Sequence, residues 1–514
     1  MSQQESQNIQ GHIFKTCKSG KGTSYDVATV LYIMYRDKYM CISKVDKTSY
    51  YLNDKNIWIK DNELMFLRSK ISTELYRQFS KLTVAEQQAS LESDDAHAQN
   101  AAKIQKVMLR LKETSFKSNL MVECAELFYD NERKFLEKLD ANNNLIGCVN
   151  GVYDLVREEF RDGRPEDYIS KTTKINYIEY NSSNDEIKEI MKFYKGLFVI
   201  KNIRDYVLTK TASFLSGSTA NETFDIYSGK GGNGKSKHIE LLESIMGDYA
   251  VKLPIQLLTA KRAASNSATP ELARTKGVRL VTMQEPDTKT KINVGLMKEM
   301  TGGDKIQARA LYNEPFEFKP QFKMVLCCND KPELPPHDEG TWRRVKNTEF
   351  ISKFTYDIAE DSVLDFKIDT ELAERFEDWS EPFLSILIEY HKRYRREGIR
   401  EPDEINEYTS EYRAQSNHFR DFTNDRIEHD PLNKKGMSID KIYEIYRTWY
   451  RGVNADEKPK KRKELQAYLD EKYGRYFAPG VSSKEKGYRG LKIKPMNPSF
   501  ADDDVECIID ELDE

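Results

Sequence analysis

Apolar residues fall at helical spacing from Asp26 to Arg36 and again from Asp61 to Phe79. Between them lie three short runs, Tyr39-Met40-Cys41-Ile42, Tyr50-Tyr51-Leu52 and Ile57-Trp58-Ile59, each bounded by turn formers, which predict strands. Trp58 is expected in the core of this small α+β domain, residues 1–110. The stretch Ala85 to Ala102, rich in Ala, Gln, Ser and Asp, reads as a solvated helix or a linker, and its Asp94-Asp95 pair as solvated charge. A helical pattern from Met121 to Leu139 precedes Leu145 to Leu155, where Asn150-Gly151 predicts a hairpin turn between two apolar strands. Helices are expected at Asp185–Phe198 and Arg204–Leu215. Residues 111–200 thus form a helical and hairpin region ahead of a core spanning 201–385.

From Thr223 to about Phe350 short apolar runs alternate with helical ones. This predicts an α/β core with a mainly parallel sheet. Phe224–Tyr227, Val278–Glu285 and Phe322–Asn329 are the clearest strands. Lys305–Arg309 and Phe316–Lys319 each alternate and could pair as a hairpin. Beyond residue 385 the chain turns helical and basic, and Tyr390–Arg396 ends a helix in a cationic run that suits the helix dipole without any function. Helical patterns at Glu404–Arg413, Phe419–Asn424, Ile439–Tyr450 and Lys463–Tyr473 are followed by the glycine-bearing basic strand Gly487–Lys494. Together they suggest a small winged-helix module over 386–496. Residues 497–514 are acidic and expected to be disordered, with a docking peptide for a replication partner as the alternative.

Composition narrows the class. With 32% charged residues and no long apolar run, the chain of 514 residues is expected to be soluble, without a membrane span, and Met1–Glu5 lacks a signal-peptide core. Seven scattered cysteines without a C-x-x-C pair suggest neither zinc nor a disulfide framework, and point to a reducing compartment. A net charge of −4 excludes a general polyanion-coating protein and leaves room only for a local basic channel.

The chemistry gathers at Gly229-Lys230-Gly231-Gly232-Asn233-Gly234-Lys235-Ser236, which fits the phosphate-loop pattern G-x-x-x-x-G-K-[ST] at every fixed position. A strand precedes it and a helical run, Ile239 to Met246, follows, so backbone N–H groups and a helix N-terminus would cradle phosphate. Lys235 should reach the β- and γ-phosphates of ATP, and the Ser236 hydroxyl should bind Mg²⁺. Glu285, ending its strand, is the expected acid that orients the Mg²⁺ shell or activates water; Gln284 before it leaves one acid there. Asn329 ends another strand, where it can hydrogen-bond the γ-phosphate or the attacking water. Arg343 and Arg344 offer guanidinium groups for charge developing on a transferring phosphate, reaching a neighbouring subunit's nucleotide as in ring ATPases. Lys305, Gln307 and Arg309 would share one strand face, with donors suited to DNA phosphates; taken alone, a solvated hairpin face is the commoner case.

Taken together these motifs resemble the superfamily 3 helicases, of the poxvirus and phage primase-helicase type, over about Asp26 to Lys494. The phosphate loop, Arg279–Thr282 with Glu285-Pro286, the run from Lys298 through Gly302-Gly303-Asp304 to Arg309, Asn329, Arg343-Arg344 and Asn150–Leu155 carry the resemblance, while Trp342 departs from it. The resemblance implies an AAA+-like phosphate-loop ATPase core behind a collar domain. It implies a homo-oligomer, a hexameric ring, that threads single-stranded DNA past Lys305 and Arg309 and hydrolyses ATP between subunits. It also implies a viral replication protein of the host cytoplasm or nucleus. No primase domain is recognised, so priming would come from a separate primase, with other replication proteins as partners. The competing readings are an ATP-dependent DNA-binding assembly or loading factor without sustained unwinding, and a small-molecule phosphotransferase. The sensor Asn329, the paired arginines and the large flanking regions argue against the latter. No N-K-x-D base-recognition motif follows the strands, which disfavours a GTPase.

Overall fold

The computed structural model describes residues 3–92, 95–132, 134–259, 267–284, 291–311, 314–336, 338–358, 362–430, 432, 436–453, 459–474 and 487–494. They divide into two compact units, residues 1–332 with 344–406, and residues 333–343 with 407 onward. No helix among the described residues is long and apolar enough to cross a membrane.

The first unit opens with helices α1 (Gln3–Cys17) and α2 (Ser24–Tyr35). Thr23 starts α2 through a capping box, its hydroxyl accepting from the Asp26 N–H while Asp26 Oδ2 accepts from the Thr23 N–H, each at 3.2 Å. An antiparallel meander follows, β1 (Tyr39–Ser43), β2 (Thr48–Leu52) and β3 (Trp58–Asp61). Trp58 is buried, packed edge-on to Phe135. Helix α3 (Met65–Lys70) passes through a π-turn at Ile71–Leu75 into α4 (Tyr76–Glu92), which packs on α5 (Asp95–Arg110). The stretch read as helix or linker is therefore two packed helices. Its apolar stripe, Ala101, Ile104, Val107 and Met108, begins only near its end. Helices α6 (Thr114–Leu127) and α7 (Lys134–Lys138) complete this part, whose core joins Val27, Leu31, Leu67, Phe79, Ile104 and Leu120.

A second meander, β4 (Leu145–Cys148), β5 (Gly151–Asp154) and β6 (Glu159–Arg161), holds the expected hairpin. Cys148 pairs with Gly151, so Val149-Asn150 is the two-residue turn, one position ahead of the expected Asn150-Gly151. Tertiary contacts decide this. Asn150 both accepts from the Tyr177 N–H and donates to the Tyr177 carbonyl, at 2.9 Å each, and a Cβ on Gly151 would stand 2.6 Å from the Arg161 carbonyl.

Helices α8 (Asp185–Leu197) and α9 (Lys201–Ser213) lead into the main sheet. Its strands are β7 (Phe224–Ser228), β8 (Ala250–Lys252), β9 (Leu280–Gln284), β12 (Lys323–Cys328) and β13 (Val345–Glu349), in the order β13-β7-β12-β9-β8 and parallel throughout. The apolar runs are continuous because β7 and β12 are buried along their whole length, as a sheet covered on both faces requires. Helix α10 (Lys235–Met246) follows β7, and the short α11 (Gln256–Thr259) and α12 (Pro270–Ala273) precede β9. Helix α13 (Val294–Thr301) then leads to the two-stranded β10 (Ile306–Ala308) and β11 (Phe316–Phe318), and α14 (Glu339–Trp342) lies just before β13. Past β13, a parallel ladder joins β14 (Lys353–Thr355) to β15 (Asp365–Lys367), and the long α15 (Arg375–Glu397) packs on α8, α9 and α10.

Buried cations fasten the sheet to its surroundings. Lys323 Nζ donates to the Ser213 carbonyl at 2.7 Å and to that of Ser216, and Arg279 donates to the carbonyls of Leu215 and Leu145. The orphan carbonyls at the end of α9 thereby gain side-chain donors. The Arg279 guanidinium also lies 4.6 Å from the Tyr249 ring centroid, and the Tyr249 hydroxyl accepts from the Gly147 N–H at 3.0 Å. The second meander and the sheet are thus one packed body.

In the second unit α14 packs its Trp342 edge-on to Tyr412 of α16 (Asp403–Gln415), whose first residues belong to the first unit. There follow α17 (His418–Arg426), β16 (Ile427–His429), β17 (Gly436–Ser438), α18 (Ile439–Val453), α19 (Arg462–Tyr473), β18 (Gly487–Arg489) and β19 (Leu491–Ile493). Strand β16 pairs antiparallel with β19, and β17 with β18. Ile439, Ile442, Tyr446 and Tyr450 line one face of α18 and form the core with Phe422, Leu465 and Leu469. The acidic tail 497–514 lies outside the described residues.

Candidate functional site

Three neighbouring strands end level: Ser228 of β7 pairs with Cys328 of β12 and Glu349 of β13. The loop Gly229–Gly234 leaves β7 at this carboxyl edge and α10 starts at Lys235. Gly232 and Gly234 adopt φ of +75° and +81°, left-handed backbone that glycine takes at no steric cost. A Cβ on Gly229 would stand 2.4 Å from Asn233 Nδ2 and 2.7 Å from the Phe350 carbonyl, whereas one on Gly231 would meet nothing within 4 Å. The loop is therefore packed at its root and open at its crest.

Asn233 braces the loop from inside. It is 5% exposed; its Nδ2 donates to the Phe350 carbonyl at 3.2 Å and its Oδ1 accepts from Lys235 Nζ at 3.1 Å. Lys235 Nζ donates also to the Gly229 carbonyl and, at 3.1 Å, to Asn329 Oδ1. The lysine and the asparagine singled out at separate strand ends thus meet. On the outer side, the Phe350 N–H donates to the Ser228 carbonyl at 2.8 Å and the Phe354 N–H to the Gly232 carbonyl at 2.7 Å. Lys230 and Ser236 are exposed, Ser236 in the first turn of α10.

Beneath the loop, His238 of α10 is fully buried against Tyr194, whose hydroxyl lies 2.9 Å from its Nδ1, and burial pushes its pKa down to about 3. Burial pushes the thiols of Cys327 and Cys328 up to about 12, which makes them inert packing groups.

A second polar set at the same edge was not evident from the sequence. Ser228 Oγ donates to Asn347 Oδ1 at 2.8 Å, Asn347 Nδ2 to Glu349 Oε1 at 3.3 Å, and Lys331 Nζ to the same oxygen at 2.5 Å. Its members come from three strand ends, and no spacing pattern marks them.

The remaining candidates are dispersed. Glu285 lies outside the described residues; β9 is described as far as Gln284, whose Oε1 accepts from Lys252 Nζ at 2.6 Å. Arg344, in the first unit, is ion-paired with Glu222 at 2.6 Å as it enters β13. Arg343 belongs to the second unit and is exposed at the end of α14, a helix capped by Asp338 through Thr341. In the hairpin, Ile306 and Ala308 are buried while Lys305 and Gln307 are exposed, as the alternation requires. Arg309 is half-buried, and its backbone is paired with Thr269 on both sides: its N–H donates to Thr269 Oγ1 at 3.0 Å and its carbonyl accepts from the Thr269 N–H at 2.8 Å.

Comparison with known proteins fits this arrangement. Residues 28–198 match the family described as D5 N terminal like, and residues 226–344 match a family of unknown function, DUF5906. Over 468 residues the chain is 37% identical to a protein of Acanthamoeba polyphaga mimivirus named "Putative helicase", covering 89% of this chain and 48% of that one. It is 25% identical to a "Putative helicase" of Frog virus 3, over 83% of this chain and 54% of that one. It is 23% identical to a "Putative primase" of African swine fever virus, over 92% and 52%. The chain thus spans about half the length of the curated relatives it matches. The chain joins a D5 N-terminal-like region to a G-x-x-x-x-G-K-[ST] loop on a parallel sheet, and is similar over about half their length to proteins of large DNA viruses named putative helicase or putative primase.

Proposed function

We propose that the chain is an ATP-dependent DNA helicase of viral DNA replication, with an AAA+-like superfamily 3 core that works as a hexameric ring on single-stranded DNA. The observation that carries the reading is the meeting of Lys235 and Asn329 at the carboxyl edge of a parallel sheet, above a loop whose crest is open. That edge is where open α/β sheets bind ligands. The loop N–H groups and the N-terminus of α10 would hold the phosphates of ATP, Lys235 would neutralise the β- and γ-oxygens, and Asn329 would orient the γ-phosphate or the attacking water.

The residues fit Mg²⁺ as the ATP-bound ion. Ser236 presents an exposed hydroxyl one residue past Lys235, the hard oxygen ligand such an ion takes. Glu285 would complete its water shell or act as base. Bound Mg²⁺ supplies charge neutralisation across the β- and γ-phosphates. Arg343, exposed, and Arg344, ion-paired with Glu222, would supply guanidinium groups to the nucleotide of a neighbouring subunit. Lys305 and Gln307, with Arg309 beside them, would face the DNA backbone from the hairpin. The second unit, in which α17, α18 and α19 accompany the antiparallel strand pairs β16–β19 and β17–β18, would be winged-helix-like.

The test is ATP hydrolysis by wild type and Lys235→Ala, with and without single-stranded DNA, on material of known mass. DNA-stimulated hydrolysis by a ring-sized oligomer, lost in the variant, supports the reading and leads to a strand-displacement assay. Hydrolysis that ignores DNA, or a monomer that turns over alone, overturns the ring. DNA-stimulated hydrolysis without strand displacement favours an assembly or loading factor.

A further inference from the structure

The edge of the phosphate loop is flanked by an aromatic pair that the roles above do not use. Strands β14 and β15 form a parallel ladder of three residues each, outside the main sheet, and pair Phe354 with Phe366. The two rings lie 5.7 Å apart at 34°, and both are half-buried. The ladder is fastened to the loop. Besides the Phe354 N–H bond to the Gly232 carbonyl at 2.7 Å, a Cβ on Gly234 would stand 3.2 Å from Phe354 Cε2. Phe366 rests on the end of α8, 3.7 Å from where a Cβ of Gly196 would stand. Ser352, just before the ladder, is anchored to the same helix end through the Gly196 carbonyl at 2.7 Å. Two aromatic faces are thus held in fixed register with the last glycine of the loop.

A ladder this small buries little by itself, and the part of each phenylalanine left in water is apolar area that a ligand could cover. A triphosphate lying along the loop would place its α-phosphate near Gly234 and the start of α10, with the base one ribose further on. We propose that Phe354, backed by Phe366, is the seat of the nucleotide base. Stacking recognises the π-face that every base has, so the seat would favour the larger purines over pyrimidines and discriminate weakly between adenine and guanine. The proposal rests on the phosphate-loop reading above, and its test separates the two.

The experiment compares, by calorimetry in Mg²⁺ buffer on the full chain, binding of a non-hydrolysable ATP analogue with binding of inorganic tripolyphosphate, which has no base. Phe354→Leu keeps an apolar side chain against Gly234 and removes the aromatic face. It is expected to weaken the ATP analogue roughly tenfold, within the range for losing one base–aromatic stack, while tripolyphosphate binding stays within about twofold. Phe354→Tyr should restore analogue binding, Phe366→Leu should give a smaller loss of the same selectivity, and Lys235→Ala should lose both ligands. Equal loss of both ligands in Phe354→Leu means the ring only props the loop, and overturns the seat. Unchanged analogue binding in Phe354→Leu also overturns it. Wild type that binds neither ligand refutes the phosphate-loop reading itself, and the seat with it.

Discussion

The ammonium of Lys235 lies 3.1 Å from the amide oxygen of Asn329, 94 positions further along the chain. The contact exists because β7 and β12 are parallel neighbours whose ends are level at Ser228 and Cys328. The same ammonium donates to the Gly229 carbonyl and to Asn233 Oδ1. A phosphate chain would exchange some of these neutral acceptors for charged oxygens, which make the stronger bonds.

Lys235→Ala should therefore cut hydrolysis by at least roughly a hundredfold, the scale for one well-placed electrostatic group. Asn329→Ala should lower kcat roughly tenfold or more with a smaller change in KM, since its expected contact is with the γ-phosphate or water. The double variant should lose far less than the sum, because both side chains serve one cluster. Steady-state kinetics of the three variants checks this, and strict additivity would refute the shared role.

The two arginines should separate cleanly. Arg344 is bound to Glu222 where β13 begins, at 11% and 37% side-chain exposure. Arg344→Ala and Glu222→Gln should each lower the thermal midpoint, with a cost of about 1–2 kcal/mol for a partly buried pair. Arg343→Ala should retain nucleotide binding by single subunits and lose turnover by a factor of roughly 10³ or more if it serves a neighbour's nucleotide. Calorimetric melting beside single-turnover kinetics distinguishes these outcomes.

Much of the core was legible because its signals are local. The glycine pattern needs positive φ at Gly232 and Gly234, and the uninterrupted apolar runs of β7 and β12 reflect burial on both faces. What escaped was set by distant partners. Arg279 and Lys323 look like ordinary strand-flanking cations, yet both are buried and donate to carbonyls at the end of α9. Arg344 reads as half of an arginine pair until Glu222, far back in the chain, claims it. The turn at Val149-Asn150 shifted by one because Tyr177 holds the Asn150 side chain, and a two-residue spacing cannot express that. Phe354 and Phe366 went unnoticed because three-residue strands carry almost no periodicity.

Acid should destabilise the first unit before its carboxylates titrate. His238 and His391 are buried, and desolvation pushes both down to about 3. Above pH 6.5 each is neutral whether folded or unfolded and contributes no pH dependence. As pH falls below 6.5, the unfolded chain takes up protons that the folded chain refuses, so stability declines, by on the order of 2 kcal/mol per histidine at pH 5. Thermal midpoints between pH 7.5 and 5 should drop accordingly. His238→Asn, which keeps a polar partner for Tyr194, should show a shallower slope whatever its absolute stability. An identical slope would mean that His238 is protonated in the fold.

The hairpin offers the sharpest separation of DNA coupling from hydrolysis. Ile306 and Ala308 are buried, so Lys305 and Gln307 can be changed without touching the packing that holds β10 against β11. The Arg309 backbone is tied to Thr269 at the start of α12, which fixes the strand whatever its outward side chains are. Lys305→Ala should therefore leave the melting midpoint unchanged and DNA-free hydrolysis close to wild type, while removing one phosphate contact per subunit. In a ring each subunit loses that contact, so single-strand affinity should fall and its dependence on salt should flatten, as expected when fewer counterions are released. Strand displacement should drop more than basal hydrolysis. Gln307→Ala, which removes a neutral donor from the same face, should weaken affinity without changing the salt slope. Fluorescence anisotropy across a salt series, read beside strand displacement, measures both. If Lys305→Ala unwinds like wild type with an unchanged slope, the hairpin does not carry the strand, and another surface must contact the DNA.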